Sequence, residues 1–323
     1  MATLTANGLT LTEVAKRHDP NGNLAAIAEV LERAVEINQD VPWFEANDTF
    51  SHTSVRRQRL PSGSWRKLNK GVASEKSDTA QVRDVIGILE SWSKNDVEVI
   101  NAFKNPTQAR NDEDQAFVQG LGQTMASTIL YGNTITTPEK FTGLAPRMDA
   151  ISATTNVINE GGSGSDLTSI FVVDWGYDKV GMLYPRNSIA GLQVEDMGKQ
   201  IVQDSSSNDF MAYVTHFIWK AGLFVKNPRS IGRIANIESA GASNTFDEDN
   251  LITLLNRMTK GPGMRIYCNE TVMTQAQIRL KDKSNVNWAV EQGLGGVPFM
   301  SFSGVPVRQI HSDILLNTEA ALS

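Results

Sequence analysis

The chain has 323 residues, 40% of them hydrophobic and 20% charged, a composition that excludes a disordered protein and allows two domains or lobes. Its net charge of −6 excludes a protein whose whole surface grips nucleic acid, while leaving room for a local basic patch. The single cysteine, Cys268, excludes an internal disulfide framework and suits a reducing compartment, and neither a signal pattern at MATLTANGLTLTEVAKRHDP nor an apolar stretch long enough to span a membrane is present.

In chain order, residues 1–23 are polar and mixed, with a turn cluster from Asp19 to Asn23, and read as an extended arm. Leu24, Ile27, Val30, Leu31, Ala34 and Val35 follow the three-four spacing of a helix over 24–37, which Asn23 can cap. From Thr49 to Ser74 the chain carries Arg56, Arg57, Arg59, Arg66, Lys67 and Lys70 and no acidic residue, with a turn signal at Pro61-Ser62-Gly63-Ser64. Two polar, basic segments around a turn predict a β-hairpin with too little apolar content to fold on itself, so it should project and find a partner on another surface. Val82, Val85, Ile86, Leu89, Trp92, Val97, Ile100 and Phe103 predict a helix over 81–103, with an interruption near Ser91 to Asn95.

A second helix is predicted from Asn111, where Phe117, Leu121, Met125 and Ile129 fall on one face. Asn111 is placed to cap it, Asp112, Glu113 and Asp114 to complement its dipole, and Gly132-Asn133 to end it in a left-handed turn. Beyond the flexible loop Gly161 to Ser165, short β-rich runs cover 169–175 and 180–184, joined by a turn at Gly176 to Lys179. Met211 to Val225 reads as a strand ended by Asn227-Pro228, and Phe246 to Lys260 as a helix with Leu251, Leu254, Leu255 and Met258 inward. Met264 to Cys268 reads as a buried strand, Glu270 to Lys281 as a helix and Val305 to Ile310 as a closing strand, so the second half is mixed α/β or α+β.

Chemistry is hard to find. His18, His52, His216 and His311 show no metal-ligand spacing, and no HExxH motif or GxSxG elbow is present. Cys268 lies in the apolar-flanked run RIYCN, where a buried structural thiol is the better reading than a nucleophile, and His216 suits packing or an interface. The GGSGS loop lacks the Lys-Ser/Thr ending of a phosphate-binding loop. No catalytic residue, cofactor-binding residue or metal ligand is assigned.

The string from Asn111 to Arg147 resembles something specific. A long helix, an aromatic-Gly-Asn stop at Tyr131-Gly132-Asn133, then Pro138, Phe141, Gly143-Leu144 and Arg147 is similar to the spine helix and following loop of tailed-bacteriophage major capsid proteins, in the short-tailed phage branch. That resemblance implies an α+β Hong Kong 97-like fold and a shell subunit, not an enzyme. It implies an N-terminal arm and helix over 1–45, an extended hairpin loop over 46–80, a peripheral domain with the spine helix over 81–150, a mainly axial domain over 151–300, and a C-terminal peripheral strand over 301–323. Met211 to Val225 would also be a peripheral strand.

Such subunits form pentamers and hexamers that close into an icosahedral head around double-stranded DNA. Assembly takes place in the host cytoplasm, with a portal and, in some members, a decoration protein. Because this chain starts almost at the arm, a separate scaffolding protein is expected in place of a built-in one. Packaged DNA should be contacted non-specifically, which the mild negative charge suits, and no membrane is involved. Arg56, Arg57, Arg59, Arg66, Lys67 and Lys70 are the candidate inter-subunit contacts; the alternatives for them are a solvated hairpin or one touching DNA. Lys67 and Lys70 lie where some members place a crosslinking lysine, but ordinary exposed lysines are the default. The rival readings are an encapsulin-like compartment shell and, from another class, a soluble α/β enzyme or ligand-binding protein using the GGSGS loop.

Overall fold

The computed structural model describes residues 36–151, 156–204, 206–241, 243–280, 288–292 and 298–323. The helix expected over 24–37 falls almost wholly outside them; Glu36–Asp40 (α1) is helical and buries Ile37. Asp40 fastens this segment to the body, accepting hydrogen bonds from the Tyr267 hydroxyl (3.0 Å) and from Arg308 (3.2 Å).

Among the described residues the strands form two sheets. The first has the order β1 (Trp43–Glu45), β6 (Val180–Tyr184), β8 (Asp209–Val225), β3 (Asp78–Asp96), β2 (Ser51–Arg59), with β7 (Leu192–Gln203) also paired to β8. The second runs β11 (Trp288–Gln292), β12 (Pro298–Phe302), β13 (Val305–Ile310), β10 (Met264–Asn269), β5 (Leu167–Asp174), β9 (Ile231–Glu238), β4 (Val157–Asn159). Every residue of β5 is buried, as the apolar run Ile170 to Val173 requires of a strand covered on both faces. On one face lie α4 (Glu248–Arg257) and α5 (Glu270–Leu280), which bury Leu251, Leu254, Leu255, Val272 and Met273. On the other lies the main core, where Phe171 and Val173 meet Met125, Ile129 and Leu130 of the long helix and Val180, Met182, Leu223 and Val225 of the first sheet. This shared core joins the two sheets.

The segment expected as a helix over 81–103 is the 19-residue strand β3 followed by the short helix α2 (Val97–Asn101). Up to Ile86 the even-numbered residues are covered, with Ile86 in a small cluster with Phe44, Ala46, Leu183 and Phe224. Beyond Gly87 the odd-numbered residues are covered, with Leu89 against the main core and Ser93 and Asn95 buried. Val85 and Trp92 stand on the open face, each 44% exposed, among the covered Val82, Ile86 and Leu89, so apolar residues from both faces fall at steps of three and four and imitate a helix. Ser91 to Asn95 do not interrupt it; they pair with Phe217 to Tyr213.

The long helix α3 runs Pro106–Tyr131, five residues further back than expected. Its cap is Asn105, whose side chain accepts from the Gln108 amide (3.4 Å), with Pro106 in the first turn; Asn111 and the acidic run after it lie in the helix interior. The predicted face is correct: Leu121, Met125 and Ile129 are buried and Phe117 stacks flat on Phe217, 5.6 Å between centroids. The helix does not end in a left-handed turn, since Gly132 has φ −53°.

The strand β13 pairs with β10 in the second sheet, and Met211 to Val225 lies in the first sheet as β8.

Candidate assembly surface

The hairpin is real but larger than its sequence pattern. Ser51 to Arg59 pair with Val85 to Asp78, so the second strand begins past the basic segment, and residues 60–77 form an unpaired tip apart from one turn at Lys67 to Lys70. Residues 65–74 were expected as the second strand; their Gly71, Asn69 (φ 62°) and lack of alternation suit a loop instead. The tip is braced across itself, because the Ser62 and Gly63 amides donate to the Glu75 carboxylate (2.7 and 3.2 Å).

The structure divides the six candidate cations. Arg56 is turned inward: its guanidinium donates to the Val225 carbonyl, and burial lowers its pKa, with Asp84 opposing the shift. Arg59 pairs with Asp78 at 3.1 Å on the hairpin itself. Arg57, Arg66, Lys67 and Lys70 are exposed. Beside them stand residues that the count of charges passed over: Trp65 is fully exposed, Leu68 is 88% exposed, and Leu60 and Val72 are open too. Their signal in the sequence was apolar side chains in a segment with no core to receive them.

At its base the hairpin is tied to the loop that follows α3. Arg147 bonds Asp84 of β3 at 2.8 Å, with exposures of only 16% and 4%, and donates to the Leu223 (2.9 Å) and Thr142 (3.2 Å) carbonyls. The last residue of the 111–147 string is therefore the bolt between hairpin, loop and β8. Two of the glycines of that string, Gly132 and Gly143, are set by contact. A Cβ on Gly132 would meet the Phe141 carbonyl at 2.4 Å, and one on Gly143 would meet the Thr128 and Ile129 carbonyls at 2.6 and 2.7 Å. Only glycine lets Phe141 to Leu144 cross the helix end so closely, where Gly143 donates to Gly132 (2.7 Å) and Leu144 to Ile129 (2.9 Å).

Chemistry of other kinds is not assembled. Among the described residues no group of three or more His, Cys, Asp or Glu is placed to hold a metal, and no helix is long and apolar enough to cross a membrane. Cys268 is buried and its thiol is pushed up to about 12, which makes it inert at neutral pH. The 161–165 loop joins strand β4 to strand β5 and opens no helix, and the Gly162 amide is already bonded to the Asn236 carbonyl (3.0 Å). His216 lies in β8, stacked on Trp92 at 4.0 Å between centroids.

The chain is similar to known proteins. A chain in the cryo-EM structure of bacteriophage Epsilon15 is 29% identical, with a TM-score of 0.74 over 100% of this chain and 99% of that one. A chain of the bacteriophage JBD30 capsid is 9% identical with a TM-score of 0.50, covering 93% of this chain and 98% of that one. A chain of the holo-SrpI encapsulin complex from Synechococcus elongatus PCC 7942 is more distant, at 10% identity and a TM-score of 0.46 over 74% of this chain and all of that one. No curated protein matches the chain. The sequence profile described as "Major capsid protein GP7" matches residues 19–323. The projecting hairpin, the long helix and the two-sheet body are thus those of a Hong Kong 97-like phage shell subunit, and the chain belongs to the major capsid protein GP7 family.

Proposed function

We propose that the subunit forms pentamers and hexamers of an icosahedral head around double-stranded DNA, and that its hairpin lies over a neighbouring copy. The observation that carries this is the hairpin with its long, braced tip, on which Trp65, Leu68, Arg57, Arg66, Lys67 and Lys70 stand exposed among the described residues. The first sheet with α3 is then the peripheral domain and the second sheet with α4 and α5 the axial domain, β13 included. Function proceeds by assembly, without a catalytic step. A separate scaffolding protein, a portal and a decoration protein complete the head, DNA is touched non-specifically on the inner face, and assembly takes place in the host cytoplasm.

Of the six candidate contacts, Arg57, Arg66, Lys67 and Lys70 do the intermolecular work, while Arg56 and Arg59 hold the hairpin in shape. Each exposed ion pair contributes only ~0–1 kcal/mol, but the contacts recur in every copy around a ring. Replacing the four free cations with serine should leave the subunit folded, by circular dichroism and denaturant midpoint, and weaken assembly in a sedimentation assay. Particles of normal yield and salt resistance from that variant would refute the role.

A further inference from the structure

A groove of about 200 Å³ opens on the flank of α3, lined by Leu89, Met125, Phe141, Trp219 and Ala221, with Glu139 and Lys140 also in its lining. Its lining is mostly apolar. Gly87 forms part of its wall, where a Cβ would strike the Glu139 carbonyl at 2.8 Å. Close by, Ile135 is 89% exposed in the turn that Thr137 closes on Asn133. We infer that this groove is the socket for the Trp65 indole of a second copy's hairpin tip, with Leu68 packing beside it.

Size supports the fit. Apolar cavities of about 150 Å³ accept a benzene ring, so a slightly larger one suits an indole. Covering a tryptophan side chain removes roughly 150–250 Å² from water, the kind of anchor that dominates interface energetics. The subunit's own tip leaves the groove open: Trp65 is fully exposed, and the six residues from Arg59 to Trp65 extend roughly 20 Å against the roughly 30 Å along β3 from Asp78 to Gly87. Charge favours another copy as well. Residues 49–74 carry six cations and no acid in a chain of net −6, so the remainder of each subunit is at −12. Knob and socket lie on different surfaces of one chain, the arrangement that closes head-to-tail rings.

The inference rests on the shell reading and goes beyond it by naming both partners of the contact. The test uses two full-length variants, Trp65→Cys and Glu139→Cys, co-assembled and treated with a short bifunctional thiol reagent; buried Cys268 stays silent. A Trp65→Cys with Asp178→Cys pair serves as the remote control. A crosslinked dimer from the 65/139 pair, present in particles, absent from unassembled subunits and several-fold above the control, is the expected result. Particles that form normally but give no more 65/139 product than the control would overturn the socket and leave the shell reading standing. A wild-type chain that makes no particles, alone or with a lysate of its natural source, would overturn both. Independently, Trp65→Ala should raise the protein concentration needed for assembly by about 30-fold, with partial rescue by Trp65→Phe. An unchanged threshold would also overturn the proposal, since an exposed side chain has no folding role to confuse the outcome.

Discussion

Replacing Arg147 with methionine should cost the subunit about 3 kcal/mol. Asp84 is 4% exposed, and its Oδ2 has no hydrogen-bond partner among the described residues, so removing the guanidinium leaves a buried carboxylate that Arg56 offsets only in part. Breaking a buried pair from one side is worth roughly 3–5 kcal/mol, and the lower end applies here because Arg56 compensates in part. The Leu223 and Thr142 carbonyls lose their donor as well. Methionine keeps much of the stem volume, so the loss reports charge and hydrogen bonding more than a cavity. The assay is urea unfolding of the unassembled subunit, with Asp84→Leu and the double variant completing the cycle. The double variant should recover at least half of the loss, because an apolar pair no longer strands a charge. A single-variant loss below about 1 kcal/mol, or a double variant that is worse than either single one, would refute the bolt.

Two further outcomes follow from the same geometry. Gly143→Ala should destabilise the subunit by roughly 2–3 kcal/mol, because its new methyl meets two main-chain carbonyls that cannot step aside, whereas Gly120→Ala, in open space on α3, should be neutral or slightly stabilising; equal effects in denaturant titrations would contradict the crossing. Glu160 is pushed up to about 7 by burial, from an ordinary 4.5, with Asn250 bonded to it at 3.0 Å. Its folded form holds a proton that the unfolded chain releases, so its contribution to stability falls as pH rises between 4.5 and about 7 and is flat above; Glu160→Gln should remove that slope, on the order of 1 kcal/mol after allowing for solvent, and an unchanged pH profile would sink the assignment.

What the sequence made legible was set by how much of each element's packing is local. α4 and α5 bury one continuous stripe, and β8 and β10 are dense in β-branched and aromatic residues, so period and propensity agree with the fold. β3 defeated the same reasoning because apolar residues lie on both of its faces, Val85, Ile88 and Trp92 standing exposed, while its covered face switches at Gly87. The start of α3 was misplaced because Asn111 offered a cap while the earlier Asn105-Pro106 pair, a stronger start signal, was passed over. The hairpin was visible through its charge, but charge hid the residues that most need a partner. Arg56 and Trp65 both sit in the basic stretch, and nothing in their spacing tells that one folds inward and the other stands free. The resemblance in the 111–147 string reached further than periodicity did, because Gly132, Gly143 and Arg147 are fixed by contacts outside their own element, which a local pattern cannot express.

The measurement that bears most directly on the central claim is electron microscopy of the purified full-length chain, expressed alone and with a lysate of its natural source. The account predicts closed icosahedral shells, or tubes and sheets of capsomer lattice, with density for each hairpin tip over an adjacent subunit. Small discrete oligomers in both samples, at concentrations where capsid subunits assemble, would contradict it.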